Sequence, residues 1–148
     1  MTRHAAFRRF LADSRGAVAI EFAAIALPFI LLLAGTMEIS RYTWTRVALQ
    51  DVASAGARCL GLGPRPDSPC FNGDSMDESA TVEFVREQAR GWGVTIAESS
   101  VTPEEGVECN GIPDFGKVKV RHQFSSVLPA LPDSLIEAEA CFPVVSSE

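Results

Sequence analysis

The chain has 148 residues, of which 22% are charged and 47% hydrophobic, an ordinary globular balance with room for one domain and an appendage. Its formal net charge of −6 is unevenly spread: residues 1–16 hold Arg3, Arg8, Arg9 and Arg15 against Asp13 alone, so the remainder is more acidic still. An acidic body argues against nucleic acid as a partner, because phosphate binding needs a basic surface that releases counterions, whereas the basic head suits anionic lipid.

From Ala17 to Met37 the one charged residue is Glu21. At 1.5 Å of helical rise per residue this run spans about 30 Å, the thickness of a bilayer's hydrocarbon core. A cleavable secretory signal has a shorter apolar region and a small-x-small exit. Here Ala34-Gly35-Thr36 ends in Thr and Leu32-Leu33-Ala34 begins with Leu, so an uncleaved anchor is the better reading. The arginine-rich side is the N-terminal one, and the positive-inside bias therefore predicts a cytoplasmic N-terminus and an exported remainder. Pro28 removes one backbone donor inside the span and predicts a bend, not a break.

Glu21 has two readings. It is near enough to the start of the run, roughly 6 Å in from Ala17, to reach headgroups or water as a tolerated polar residue. Its surroundings favour a specific role. Gly16 stands at the border between basic head and apolar run, followed by Ala17-Val18-Ala19-Ile20, then Glu21 and Phe22. This stretch, "RGAVAIEFAAIALPFILLLAGTMEISRY", resembles the N-terminus of a TadE-like pseudopilin, a minor pilin-like component of the tight-adherence (Flp) pilus. The motif of that group is a glycine, four residues, then glutamate and an aromatic. Phe22 stands where major pilins of the system often carry tyrosine, which fits the minor branch. The close resemblance covers about residues 14–60.

The resemblance implies that a membrane prepilin peptidase cuts between Gly16 and Ala17, leaving Ala17 as a new N-terminus. It also implies that Glu21 serves as counter-charge to that amine, within the subunit or on a neighbour. A charge in a low-dielectric site needs such a partner. Implied partners are the prepilin peptidase, other pilin-like subunits, the inner-membrane assembly platform and the lipid bilayer, with no nucleic acid.

Beyond the span, residues 38–60 keep helix formers, and Ile39, Tyr42, Leu49, Ala53 and Leu60 form an apolar stripe interrupted at Arg46. The helix is expected to continue outside the membrane and to pack on its own domain, with Tyr42 and Trp44 at the outer interface. Gly61, Gly63, Pro64, Pro66 and Pro69 mark a linker over 61–77. Ser75-Met-Asp-Glu78 reads as a capping box opening a short helix with Val82, Val85, Ala89 and Trp92 on one face, closed by Gly91 and Gly93.

In "KVKVRHQF", Val118, Val120, His122 and Phe124 share one face and Lys117, Lys119, Arg121 and Gln123 the other. "LIEAEACFPVV" places Ile136, Ala138, Ala140 and Phe142 inside, with Glu137, Glu139 and Cys141 outside. The opposite charges of the two outer faces predict that these strands pair. A third strand is expected from 94–101 or 107–109. The fold class is therefore α+β and pilin-like: basic leader 1–16, transmembrane helix 17–37, its continuation 38–60, linker 61–77, and an exported unit 78–148 with one further helix and about three antiparallel strands.

Cys59, Cys70, Cys109 and Cys141 all lie on the predicted exported side, where disulfides persist. Four cysteines allow three connectivities. The preferred one pairs Cys59 with Cys70 as a clamp of the linker and Cys109 with Cys141 between a strand edge and the last strand. No C-x2-C pair or histidine stands at zinc spacing, so no metal is expected. His4 falls in the leader, and His122, on an apolar strand face, reads as a hydrogen-bonded structural histidine. Glu104-Glu105 and Asp77-Glu78 read as solvated loop or cap carboxylates. With no nucleophile elbow or phosphate loop, neither enzyme activity nor a cofactor is expected. The leading expectation is a minor pseudopilin needed for pilus assembly and surface adherence, held in the bacterial inner membrane with a periplasmic C-terminal domain. The alternative is a single-pass anchored envelope binding module that never enters a fibre.

Overall fold

The computed structural model describes residues 16–128 and 132–145. It contains a long helix α1 (Ala17–Gly61), a two-stranded hairpin β1 (Phe71–Asn72) and β2 (Ser75–Met76), a helix α2 (Glu78–Gly91), and strands β3 (Val101–Cys109), β4 (Ile112–Phe124) and β5 (Ser134–Pro143). The fold is mixed α+β. By internal contacts the chain divides into two units, Met1–Ile39 and Ser40–Glu148. Within α1, residues up to Ile39 belong to the first unit and those from Ser40 to the second. The expected leader up to Arg15 lies outside the described residues.

In the first unit α1 is apolar on every side. Val18, Ile20, Phe22, Ile25, Leu27 and Phe29 are all at least 60% exposed, and Ile30 to Leu33 are also exposed. Thr36, polar within this apolar stretch, turns its hydroxyl back onto the carbonyls of Leu32 (3.0 Å) and Leu33 (2.9 Å), which satisfies it without water.

In the second unit, the part of α1 from Ser40 packs one face on the antiparallel sheet β3-β4-β5. That face is made of Ala48, Leu49, Val52, Ala53, Ala57 and Leu60, all buried. The stripe read from sequence is thus correct at Leu49, Ala53 and Leu60 but wrong at Ile39, which is 65% exposed. The smaller residues Ala48, Val52 and Ala57, four and five residues apart, complete the seam. At Gly56 an added Cβ would lie 2.7 Å from a Val85 methyl; at Gly61, 2.7 Å from the Pro143 carbonyl; at Gly116 of β4, 2.7 Å from Leu60 Cβ and 2.9 Å from the Gly61 nitrogen. At Gly61 and Gly116 helix and sheet approach at their backbones, whereas Gly56 makes room for the side chains of Val85 of α2 and Val118 of β4.

The sheet follows the alternation of its sequence. Val118, Val120 and Phe124 of β4 and Ile136 and Ala138 of β5 are buried on the helix side, in register as Val118↔Ala140, Val120↔Ala138 and His122↔Ile136. On the other face, Lys117 bridges Glu139 (3.2 Å) and Glu104 (3.8 Å), while Glu137 accepts Arg121 (2.7 Å) and lies 3.7 Å from Lys119. These exposed pairs contribute about 0–1 kcal/mol each. They favour this register more than they hold it. Asn110 and Gly111, both at positive φ, make the tight turn between β3 and β4, an Asn-Gly hairpin signal.

Two local expectations need correction. The third strand is β3, Val101–Cys109, which includes the expected 107–109, whereas of the other stretch residues 94–97 are irregular and Glu98–Ser100 form a 3-10 turn. Ser75 does not cap α2. It sits in β2 opposite Asn72, and the cap is Asp77, whose carboxylate accepts from the Ala80 N–H at 3.0 Å. Hairpin pairing claims Ser75, and Asp77 is next in line with a side chain of the right length. Thr81, fully buried, donates to the carbonyls of Asp77 (2.8 Å) and Cys70 (3.3 Å) and so ties α2 to the hairpin.

Candidate functional site

The residues singled out at the N-terminal border lie at the opening of α1. Gly16 directly precedes the helix, and Ala17 is its first residue. No described atom lies within 4 Å of the place where a Cβ on Gly16 would stand. Glu21 and Phe22 follow one turn later and both are exposed, Phe22 to 73%. Residues four apart share a helix face, so Glu21 stands on the same side as Ala17, about 6 Å further along the axis.

That placement defines what the segment can do chemically. The start of a helix carries unsatisfied N–H groups and a partial positive charge. An α-amine created at Ala17 would add a full positive charge to it, and a carboxylate one turn away offers electrostatic compensation. Immediately beyond Glu21 come the large exposed apolar side chains, a surface far larger than soluble chains leave in water. The segment is suited to lipid or to other helices.

The cysteines occupy a different region. Cys59 is bonded to Cys70 and Cys109 to Cys141, the pairs named from the sequence. The first closes the Pro-rich loop onto the last turn of α1. The second joins the two edge strands across β4: its Cα atoms are 6.6 Å apart, closer than the ~9.5 Å of two strand spacings. Register shifts in β3 between Glu104 and Cys109 let this end of the sheet curl.

His122 faces the helix side of the sheet, and burial pushes its pKa below the ordinary value. Asp77 is held low by the hydrogen bonds from the Ala80 N–H and then the Ser79 hydroxyl, as befits a helix cap. Beside the Cys59–Cys70 bridge an open groove of about 750 Å³ is lined by Asp51, Ser54, Arg58, Arg65, Asp67 and Phe84. It presents no nucleophile beside a base. Among the described residues no group of three or more His, Cys, Asp or Glu is placed to hold a metal ion.

Comparison with known families finds a match over the helix. The model of a family described as TadE-like protein matches residues 16–58, from Gly16 almost to the end of α1. Neither a curated protein nor a solved structure matches the chain significantly. One helix among the described residues is long and apolar enough to cross a membrane, and it is the helix that the family model matches. Over residues 16–58 the chain is similar to the TadE-like family, the family its border motif resembles.

Proposed function

We propose that this protein is a minor pseudopilin of a tight-adherence pilus, cut by a prepilin peptidase between Gly16 and Ala17 and assembled through α1 with other pilin-like subunits. The observation that carries the reading is a coincidence of boundaries: the TadE match, the helix and the apolar run all begin at Gly16 or Ala17, with Glu21 one turn inside. In this reading the basic leader stays on the cytoplasmic side of the inner membrane until it is removed. The second unit then lies in the periplasm, where both disulfides are stable. The protein works by assembly and not by catalysis, and its product is a pilus that grips a surface.

Glu21 has the central role. In the bilayer an isolated carboxylate costs about 2.5–3.5 kcal/mol at a helix centre, and a paired one less. Pairing with the new amine of Ala17, on the same or an adjacent subunit, would offset that cost only in the processed, assembled state. Glu21 thereby couples cleavage to assembly.

N-terminal sequencing of the membrane-bound chain tests the reading. Ala17 is expected as first residue in cells with the peptidase and Met1 in cells without it. A chain that keeps its leader in peptidase-positive cells sinks the pseudopilin assignment in favour of an anchored binding module. Glu21→Ala is expected to insert normally yet abolish piliation; normal pili would remove the counter-charge role.

A further inference from the structure

The second unit has an end whose surface changes character. Phe124, the last residue of β4, packs edge-to-face on Tyr42 near the start of the unit, with ring centroids 5.4 Å apart. The opposite end of β4 lies against Leu60 and Gly61 at Gly116. The sheet's outer face is charged along Lys117, Lys119, Arg121, Glu137 and Glu139, but the pair that follows in register toward Phe124 is Gln123↔Leu135, uncharged, with Leu135 56% exposed. Past Phe124, the side chain of Val127 is 72% exposed.

Two tryptophans are reached from Tyr42: Trp44, two residues on in α1, and Trp92, half-buried against it. Trp44 is 56% exposed, its ring 5.2 Å from that of Trp92, and its N–H donates to the Trp92 carbonyl at 3.1 Å. The Trp92 N–H donates to Asp51 at 3.0 Å, and Asp133 accepts the Ser126 N–H at 3.1 Å, so two nearby carboxylates are engaged within the fold. Arg41 holds its guanidinium 5.4 Å from the centre of the Phe124 ring. Tryptophan with its N–H satisfied, exposed aliphatic side chains and an arginine are the chemistry of a surface at headgroup level.

Chain length selects the occupant. Ser40 opens the second unit three residues after Met37, the last of the apolar run, and three residues reach at most about 11 Å however the chain bends. Tyr42 is two residues further. We infer that Trp44, Trp92, Val127 and Leu135 form a docking surface for the headgroup region of the bilayer, which holds the second unit against the membrane before any assembly. This rests on α1 being the membrane anchor.

The two tryptophans are the only ones in the chain, so their fluorescence reads the surface directly. The full chain is reconstituted in vesicles of phosphatidylethanolamine and phosphatidylglycerol, with lipids brominated either near the headgroup or deep in the acyl chain. Flotation is measured on the same samples. A Trp44→Phe variant isolates Trp92, which lies far from the span in sequence. Docking predicts that Trp92 is quenched by shallow bromine, weakly by deep bromine, and is shielded from aqueous acrylamide. The double variant Val127→Glu, Leu135→Glu is expected to lose shallow quenching while it still floats with both disulfides intact. Flotation with Trp92 open to acrylamide and untouched by bromine overturns the docking surface alone. Shielding from acrylamide without bromine quenching also overturns it, in favour of a protein partner. A chain that does not float overturns the anchor, and the docking surface with it.

Discussion

The two parts of α1 reverse the usual relation between side-chain size and burial. In residues 18–37 the large apolar side chains are exposed, Ile20, Phe22, Leu27 and Phe29 all to 60% or more. From Ser40 onward the buried residues are mostly small, with Ala48, Val52, Ala53, Gly56 and Ala57 against the sheet. Each part is matched to its partner. Lipid chains adapt to bulky side chains all around a helix, so a membrane span asks mainly for length and apolarity of the residues beyond Glu21. A sheet approaching at backbone distance leaves space only for small groups on one face, so the second part is specified residue by residue.

The largest break in this contrast should come from paired truncations. Leu49→Ala is expected to lower the stability of the second unit by about 2–5 kcal/mol, because Leu49 is fully buried and its loss leaves a cavity. Leu31→Ala, which removes an exposed side chain, should leave the same unfolding transition unchanged. Thermal melts of the full chain in detergent, followed by tryptophan fluorescence, measure both. Equal shifts would show that the two parts are not energetically distinct.

Cys109→Ser with Cys141→Ser is expected to cost about 2–5 kcal/mol by freeing the 32-residue loop between them, read by the same melt under nonreducing conditions. A smaller effect should follow from adding one methyl group. Gly116→Ala forces Leu60 or the Gly61 backbone to move and should destabilise by about 1–3 kcal/mol. Gly35→Ala meets nothing within 4 Å and should leave the melt unchanged. A destabilising Gly35→Ala would indicate a close protein neighbour in the apolar part.

The smallest effect is electrostatic and confined to the second unit. Burial lowers the His122 pKa from its ordinary 6.5, so the unfolded chain takes up this proton more readily than the folded one. The contribution is complete above that ordinary value and is lost as pH falls through the lowered one. Acidification below about pH 6.5 should therefore weaken the unit, with a shallower slope in His122→Gln. An unchanged slope would assign the dependence to other groups. His4, the remaining histidine, belongs to the segment removed in the proposed processing.

Local signals were legible wherever one segment decided its own structure. The apolar run, the Gly16 border with Glu21, the alternation in β4 and β5, and the charges that pair across them all follow from spacing, since periods of 2 and 3.6 place side chains without reference to distant residues. The extended class of β3 was readable but its bounds were not, because bulges and a 3-10 turn blur the alternation from Val94 to Cys109. Competition decided the cap: Ser75 and Asp77 are both good N-cap residues, and only the hairpin opposite Asn72 removed Ser75 from the contest.

By itself the sequence determined that this chain has a long apolar helix opening beside Gly16 and an α+β unit with paired, oppositely charged strands. What it left to tertiary structure was which face of α1 the sheet would cover. Alanine and glycine carry little hydrophobic signal, so the seam through Ala48, Val52, Gly56 and Ala57 becomes visible only when β4 lies upon it with Gly116 against Leu60. Tertiary structure alone also brought Phe124 onto Tyr42 and Trp92 onto Trp44, because residues so distant in sequence meet only after the chain has folded.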